Sequence, residues 1–154
     1  MPLTGGTRKG STRVPVPVSD RLDVSISLEP EDLVSMRRIM AQRLRGWGVS
    51  EESSDRMLLA VNELLTNVVE HVSPDAHGCR LADLLVQRVP DGVVAVVGDK
   101  DPRPIEPVAA APLDESGRGL ALVGALVDES EVSLTASGKD VRVFIADPAP
   151  ATGS

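Results

Sequence analysis

The sequence predicts an α+β domain: a two-layer sandwich with a mostly antiparallel, mixed sheet and its helices on one face. Three observations lead there. The predicted elements run β-α-α-β-β-loop-α-β-β, so helices do not alternate one for one with strands as a doubly wound parallel sheet requires. Two strand pairs are separated by tight-turn residues, Pro90-Asp91-Gly92 and Gly138-Lys139. The 154 residues, 42% of them hydrophobic, suffice for one domain with its own core.

RLDVSISL (21–28) alternates apolar and polar residues and predicts a strand. Pro30, Glu31 and Asp32 suit a helix start, and that helix runs to about Trp47, where Gly46 and Gly48 end it. Ser50 with Glu51, Glu52 and Ser53 opens a second helix that ends near Ser73-Pro74. Within it, Leu58, Val61, Leu64, Leu65, Val68, Val69 and Val72 share one arc, and Asn62, Glu63, Thr66, Asn67, Glu70 and His71 share the opposite one; Leu59 and Ala60 intrude. RLADLLVQRV (80–89) and GVVAVVGD (92–99) form the first predicted hairpin. A loop of about 15 residues rich in proline and alanine follows, longer than compact domains usually carry. GRGLALVGALVDE (117–129) reads as a glycine-opened helix, and EVSLTAS and DVRVFIAD as a closing hairpin turned at Gly138-Lys139. Residues 1–20 and 148–154 read as flexible tails around one domain spanning 21–147.

Composition narrows the function classes. One Trp, one Phe and no Tyr leave no aromatic platform for stacking single-stranded bases. A net charge of −7 disfavours direct nucleic-acid binding and favours basic protein partners. Cys79 is the sole cysteine, so no intrachain disulfide can form. Zinc at Cys79, His77 and His71 lacks a fourth ligand and a standard spacing. No apolar run approaches a membrane span and no secretory signal is read at the N-terminus, so a cytoplasmic protein is expected.

Three places could carry chemistry. Glu63, Asn67 and His71 follow one another at four-residue spacing and climb one side of the second helix. That side spends two Asn and a Thr mid-helix, each costing up to ~0.7 kcal/mol relative to Ala, and carries no Lys or Arg, which points to a ligand. A carboxylate can serve as general base, and an amide oxygen as a hard ligand for magnesium. Asp99 ends an apolar strand, where it can accept from an exocyclic amine such as that of adenine. Gly117 and Gly119 precede a helix start, where unsatisfied N–H groups favour an anion. Each place also has an ordinary explanation: a solvated helix face, an aspartate capping a turn, a plain loop-to-helix junction.

In combination the motifs resemble those of the GHKL (Bergerat-fold) nucleotide-binding superfamily, and most closely its small anti-sigma factor serine/threonine kinase branch, over about residues 20–147. ELLTNVVEH is similar to the N box, which implies Glu63 as general base and Asn67 as the Mg²⁺ ligand, with His71 on the same face. The resemblance makes Asp99 the adenine-reading aspartate of the first glycine box. SGRGLALV is similar to the second glycine box and implies Gly117, Arg118, Gly119 and Leu120 near the phosphates. The loop at 100–116 would be the nucleotide lid, with Arg103 among its nucleotide-binding residues. Two features depart from the broad pattern. DKDPRP replaces D-x-G-x-G after Asp99, a variant of the small branch, and Glu70 stands where many relatives are basic or apolar.

The function the resemblance implies is an ATP- and Mg²⁺-binding anti-sigma regulatory factor with kinase activity toward an antagonist protein of the STAS type. Its partners would be that antagonist and a sigma factor, and the likeness allows a homodimer. The alternative is a non-catalytic nucleotide-binding module that regulates by binding alone. A detached histidine-kinase catalytic domain is disfavoured, because the helix at 31–46 contains no phosphoacceptor His.

Overall fold

The computed structural model describes residues 20–101 and 120–148. Eight elements follow in order: strand β1 (Arg21–Ser27), helices α1 (Asp32–Gly46) and α2 (Glu51–His71), strands β2 (Leu81–Val89) and β3 (Gly92–Lys100), helix α3 (Leu120–Leu126), and strands β4 (Glu129–Leu134) and β5 (Gly138–Ala146). The strands form one five-stranded sheet in the order β1-β2-β3-β5-β4. All four pairings are antiparallel, so the parallel contribution expected of a mixed sheet is not found among the described residues.

The pleat sorts side chains onto two faces. Leu22, Leu84, Val86, Val93, Ala95, Val97, Val141, Val143 and Ile145 are buried on the helix side. Against them lies the apolar side of α2, with Met57, Ala60, Val61, Leu64, Leu65 and Val68 buried. Ala60, which interrupts the arc when the helix is drawn as a wheel, is fully buried: a methyl group is small enough for α2 to lie close to its neighbours. α1 and α3 pack beside α2, α1 contributing Met36, Met40 and Leu44 to the same core. β4 is an edge strand with every residue but Val132 exposed.

Local chemistry fixes the ends of the helices. Gly48 takes a φ of 74°, in the left-handed region that glycine enters freely, and its N–H reaches the Arg45 carbonyl at 3.0 Å while that of Val49 reaches Leu44 at 3.1 Å. Ser50 caps α2, its hydroxyl accepting from the Ser53 N–H at 3.2 Å.

Two expected boundaries are corrected. The third helix ends at Leu126 instead of running to 129, because the Asp128 N–H donates to the Phe144 carbonyl at 2.9 Å and its carboxylate accepts from the Ala146 N–H at 2.7 Å, drawing the chain into the sheet. Gly138 and Lys139 are not the hairpin turn. They begin β5, paired with Lys100 and Asp99, and the turn is made by residues 135–137. The loop at 100–116 (save Lys100 and Asp101), both tails beyond Asp20 and Pro148, and Arg103, Gly117, Arg118 and Gly119 lie outside the described residues, as does the Leu120 side chain.

Candidate functional site

α2 runs the length of the sheet. Its start is held at the exit of β5, where the Ser50 hydroxyl donates to Asp147 at 2.6 Å and the Ser50 N–H to the same carboxylate at 3.2 Å. Its end lies at the entry of β2, where Arg80 Nε donates to the Val72 carbonyl at 2.7 Å. Ala82, two residues on, pairs with Asp99. The C-terminal turns of α2 therefore share one end of the sandwich with Asp99, and the Asp147 clamp occupies the other.

The polar arc of α2 divides along its length. Asn62, Glu63, Thr66 and Asn67 are half-buried, whereas Glu70 and His71 are exposed at the helix end, 3.8 Å apart. Among the described residues, neither the Glu63 carboxylate nor the Asn67 amide engages a hydrogen-bond or ionic partner from its own chain. A half-buried carboxylate and amide lose part of their hydration and regain it only from a ligand or from water.

Asp99 is the second component. Its side chain is 6% exposed at the end of β3, on the helix face of the sheet. It is not a turn cap: its carboxylate meets Lys139 of β5, with Nζ 3.3 Å from Oδ2. In the sequence, the preceding glycine gives Lys139 the look of a turn residue. Its signal is the alternation Lys139, Val141, Val143, Ile145, which continues the helix-side face of β5 to the strand's second residue.

Two further groups are structural. Arg56 Nε donates to the Leu126 carbonyl at 2.8 Å and its guanidinium meets Asp128 at 3.2 Å, tying the end of α3 to the first half of α2. Asp75 accepts from the N–H groups of His77 and Cys79, at 2.8 and 3.0 Å; these bonds, that of Cys79 foremost, lower its pKa. Among the described residues, no three His, Cys, Asp or Glu side chains gather into a metal-binding cluster. A cavity of about 390 Å³ opens along the β1–β2 edge beside Ser25, Ile26, Asp83 and Lys100. It touches the neighbours of Asp99 without including that residue. No described helix is long and apolar enough to cross a membrane.

Comparison with known proteins agrees with this architecture. The model of the histidine kinase-like ATPase domain matches residues 26–145. The crystal structure of the RsbU and RsbW domains of Rv1364c from Mycobacterium tuberculosis superposes with a TM-score of 0.60 at 20% identity, over 89% of this chain and 35% of that one, a likeness of fold. This chain thus spans about a third of the length of that protein chain. The histidine kinase domain of the blue-light activated histidine kinase from Erythrobacter litoralis EL346 matches at 23% identity over 61% of this chain and 44% of that one, with a TM-score of 0.43. No curated protein matches the sequence.

Proposed function

Because the chain belongs to the histidine kinase-like ATPase domain family, we propose that it is an ATP-binding anti-sigma regulatory factor that phosphorylates a serine or threonine of an antagonist protein. The observation that carries the reading is the half-buried Glu63–Asn67 side of α2, whose carboxylate and amide have no partner among the described residues, at the end of the sandwich where Asp99 lies buried. These groups are of the kinds the reaction needs. Asp99 would accept from the adenine amine, and the Asn67 amide oxygen suits a hard divalent ion that keeps most of its waters. Held there and by the phosphates, Mg²⁺ would offset the charge on the transferring group. Gly117, Arg118 and Gly119 are assigned to the phosphates and Arg103 to the lid by motif likeness.

Glu63 is the general base of this scheme. It takes the proton of the attacking hydroxyl as that oxygen bonds to the γ-phosphorus. The bond from phosphorus to the β–γ bridging oxygen breaks, and ADP leaves. Most of the rate then comes from positioning and electrostatics, with little covalent work for the protein. A sigma factor, bound on a separate surface and blocked there, would be the regulated partner. The net charge of −7 suits basic segments on it.

Two measurements test the proposal. Thermal unfolding with ATP and Mg²⁺ should show stabilisation, ~2.7 kcal/mol at ~100 times the dissociation constant. Radiolabelled phosphate should pass from ATP to a candidate antagonist and be lost by at least two orders of magnitude in Glu63→Ala, with ATP still bound. ATP binding without transfer to any antagonist would leave a regulator that acts by binding alone. No stabilisation at millimolar ATP would remove the nucleotide site itself.

A further inference from the structure

Three rungs of the β3–β5 ladder, Val93–Ile145, Ala95–Val143 and Val97–Val141, are apolar and buried on the helix side of the sheet. The next rung on that face is charged, with Asp99 opposite Lys139. A Cβ on Gly138 would overlap the Asp99 carbonyl oxygen and lie 2.7 Å from Asp99 Oδ1, so β5 comes this near only with glycine there. The Asp99 side chain is 6% exposed and that of Lys139 41%, so the ammonium stands at the mouth and the carboxylate behind it. Nζ lies 3.3 Å from Oδ2, and neither side chain has another partner among the described residues. An ammonium carries more hydrogens, and a carboxylate more lone pairs, than one ion pair uses. The two therefore offer a ligand an acceptor and, next to it, a donor. Both are charged, which strengthens the bonds they make.

Adenine matches that order. Its amine is the donor that Asp99 accepts, and the ring atom beside the amine, N1, is an acceptor of the kind the Lys139 ammonium needs. The amine and N1 form the edge of the base remote from the ribose, the edge able to reach a carboxylate behind the mouth. N7, on the other side of the amine, belongs to the ring that carries the ribose. Guanine bears the two functions in the opposite order. Its O6 would face the carboxylate and its N1–H the ammonium, an acceptor against an acceptor and a donor against a donor. Turning the base over would restore the match but carry the ribose away from the Glu63–Asn67 side of α2, where the triphosphate is read. Mismatched polar groups in a desolvated site reject a base strongly.

We propose that Lys139 is a specificity-determining residue of the nucleotide site: its ammonium donates to adenine N1 while Asp99 accepts from the amine, and the pair selects adenine over guanine. The inference rests on the reading of Asp99 as the adenine-contacting residue. It assigns Lys139 a contact with the base and no part in phosphoryl transfer.

Calorimetric titration of the full chain with ATP, 1-deaza-ATP and GTP, each with Mg²⁺, tests it. In 1-deaza-ATP a C–H replaces N1 and the amine is kept. The wild type should bind 1-deaza-ATP about tenfold or more weaker than ATP, and GTP about a hundredfold or more weaker. In Lys139→Met, which keeps the apolar stem, ATP should fall towards the affinity of 1-deaza-ATP, so that the ratio between them drops below about threefold. A lysine that only compensated the Asp99 charge or held β5 in place would weaken both nucleotides alike and leave that ratio as in the wild type. That result, or wild-type protein that binds 1-deaza-ATP or GTP as well as ATP, overturns the proposal and leaves the nucleotide site standing. The wild-type titrations decide the matter even if Lys139→Met fails to fold. Wild-type protein that binds none of the three overturns both readings.

Discussion

Asp147 and Arg88 are each 8% exposed and meet at 3.2 Å, at the end of the sandwich away from Asp99. Arg88 also donates to the carbonyls of Asp147 and Pro148, at 2.9 and 3.3 Å, and Ser50 supplies a hydroxyl and an N–H to the carboxylate. Burial raises the Asp147 pKa, but the hydroxyls of Ser50 and Ser53, the Ser50 N–H and the Arg88 charge outweigh it, and the net direction is down. Asp75, Asp83 and Asp128 shift the same way. A carboxyl whose folded pKa is depressed adds stability that is fully present above its unfolded value, about 4, and is lost as pH falls through the folded value. Urea midpoints should therefore hold between pH 7 and 5 and fall below about pH 4; a midpoint that rises on acidification contradicts the assignment. Arg88→Met should cost about 3–5 kcal/mol by equilibrium urea unfolding, since it leaves Asp147 buried without its cation. Nothing in the sequence marks this clamp. Its members stand 97 and 59 residues apart, and only the fold brings them together.

At the level of elements, local signals were informative wherever the chemistry is local. Ser50 read as a cap and is one, because the bond it makes reaches only three residues ahead. Ser50→Ala should lower stability by about 1 kcal/mol from the cap alone, and by more if the Asp147 bond adds to it, as read from the shift in the urea midpoint. Gly138-Lys139 misled for the opposite reason. Glycine followed by a polar residue suits a turn, yet here glycine serves a close approach between two strands, a demand set by a neighbour about 40 residues earlier in the chain. Gly138→Ala should force that approach apart, costing about 1–3 kcal/mol, with faster amide exchange confined to the first rungs of β5. Exchange unchanged there, in a folded variant, would show that the strands tolerate the methyl group. The early end of α3 escaped for the same kind of reason, since Val127 and Asp128 continue a helical pattern until β5 captures the backbone.

For the whole molecule, element order alone gave the two-layer architecture, because α1 and α2 precede a hairpin and cannot interleave with its strands. The candidate site was legible only in part. Asn67 stands out as a poor helix former inside a helix and Glu63 by its four-residue spacing from it, whereas the engagement of Asp99 by Lys139 depends on strand register, which no spacing in the sequence encodes. The sheet also ends in β4, whose outer rim offers backbone amides and carbonyls with no strand beyond it among the described residues. Such a rim invites a second molecule to dock by hydrogen bonding alone, and Glu129 and Glu131, both exposed there, oppose it by like-charge repulsion between approaching copies. Valine at both positions would turn this border into a template, and light scattering of concentrated protein at neutral pH should then rise with time while the parent stays clear. The guard against edge-to-edge pairing along this border thus falls to two carboxylates that lie outside the buried core.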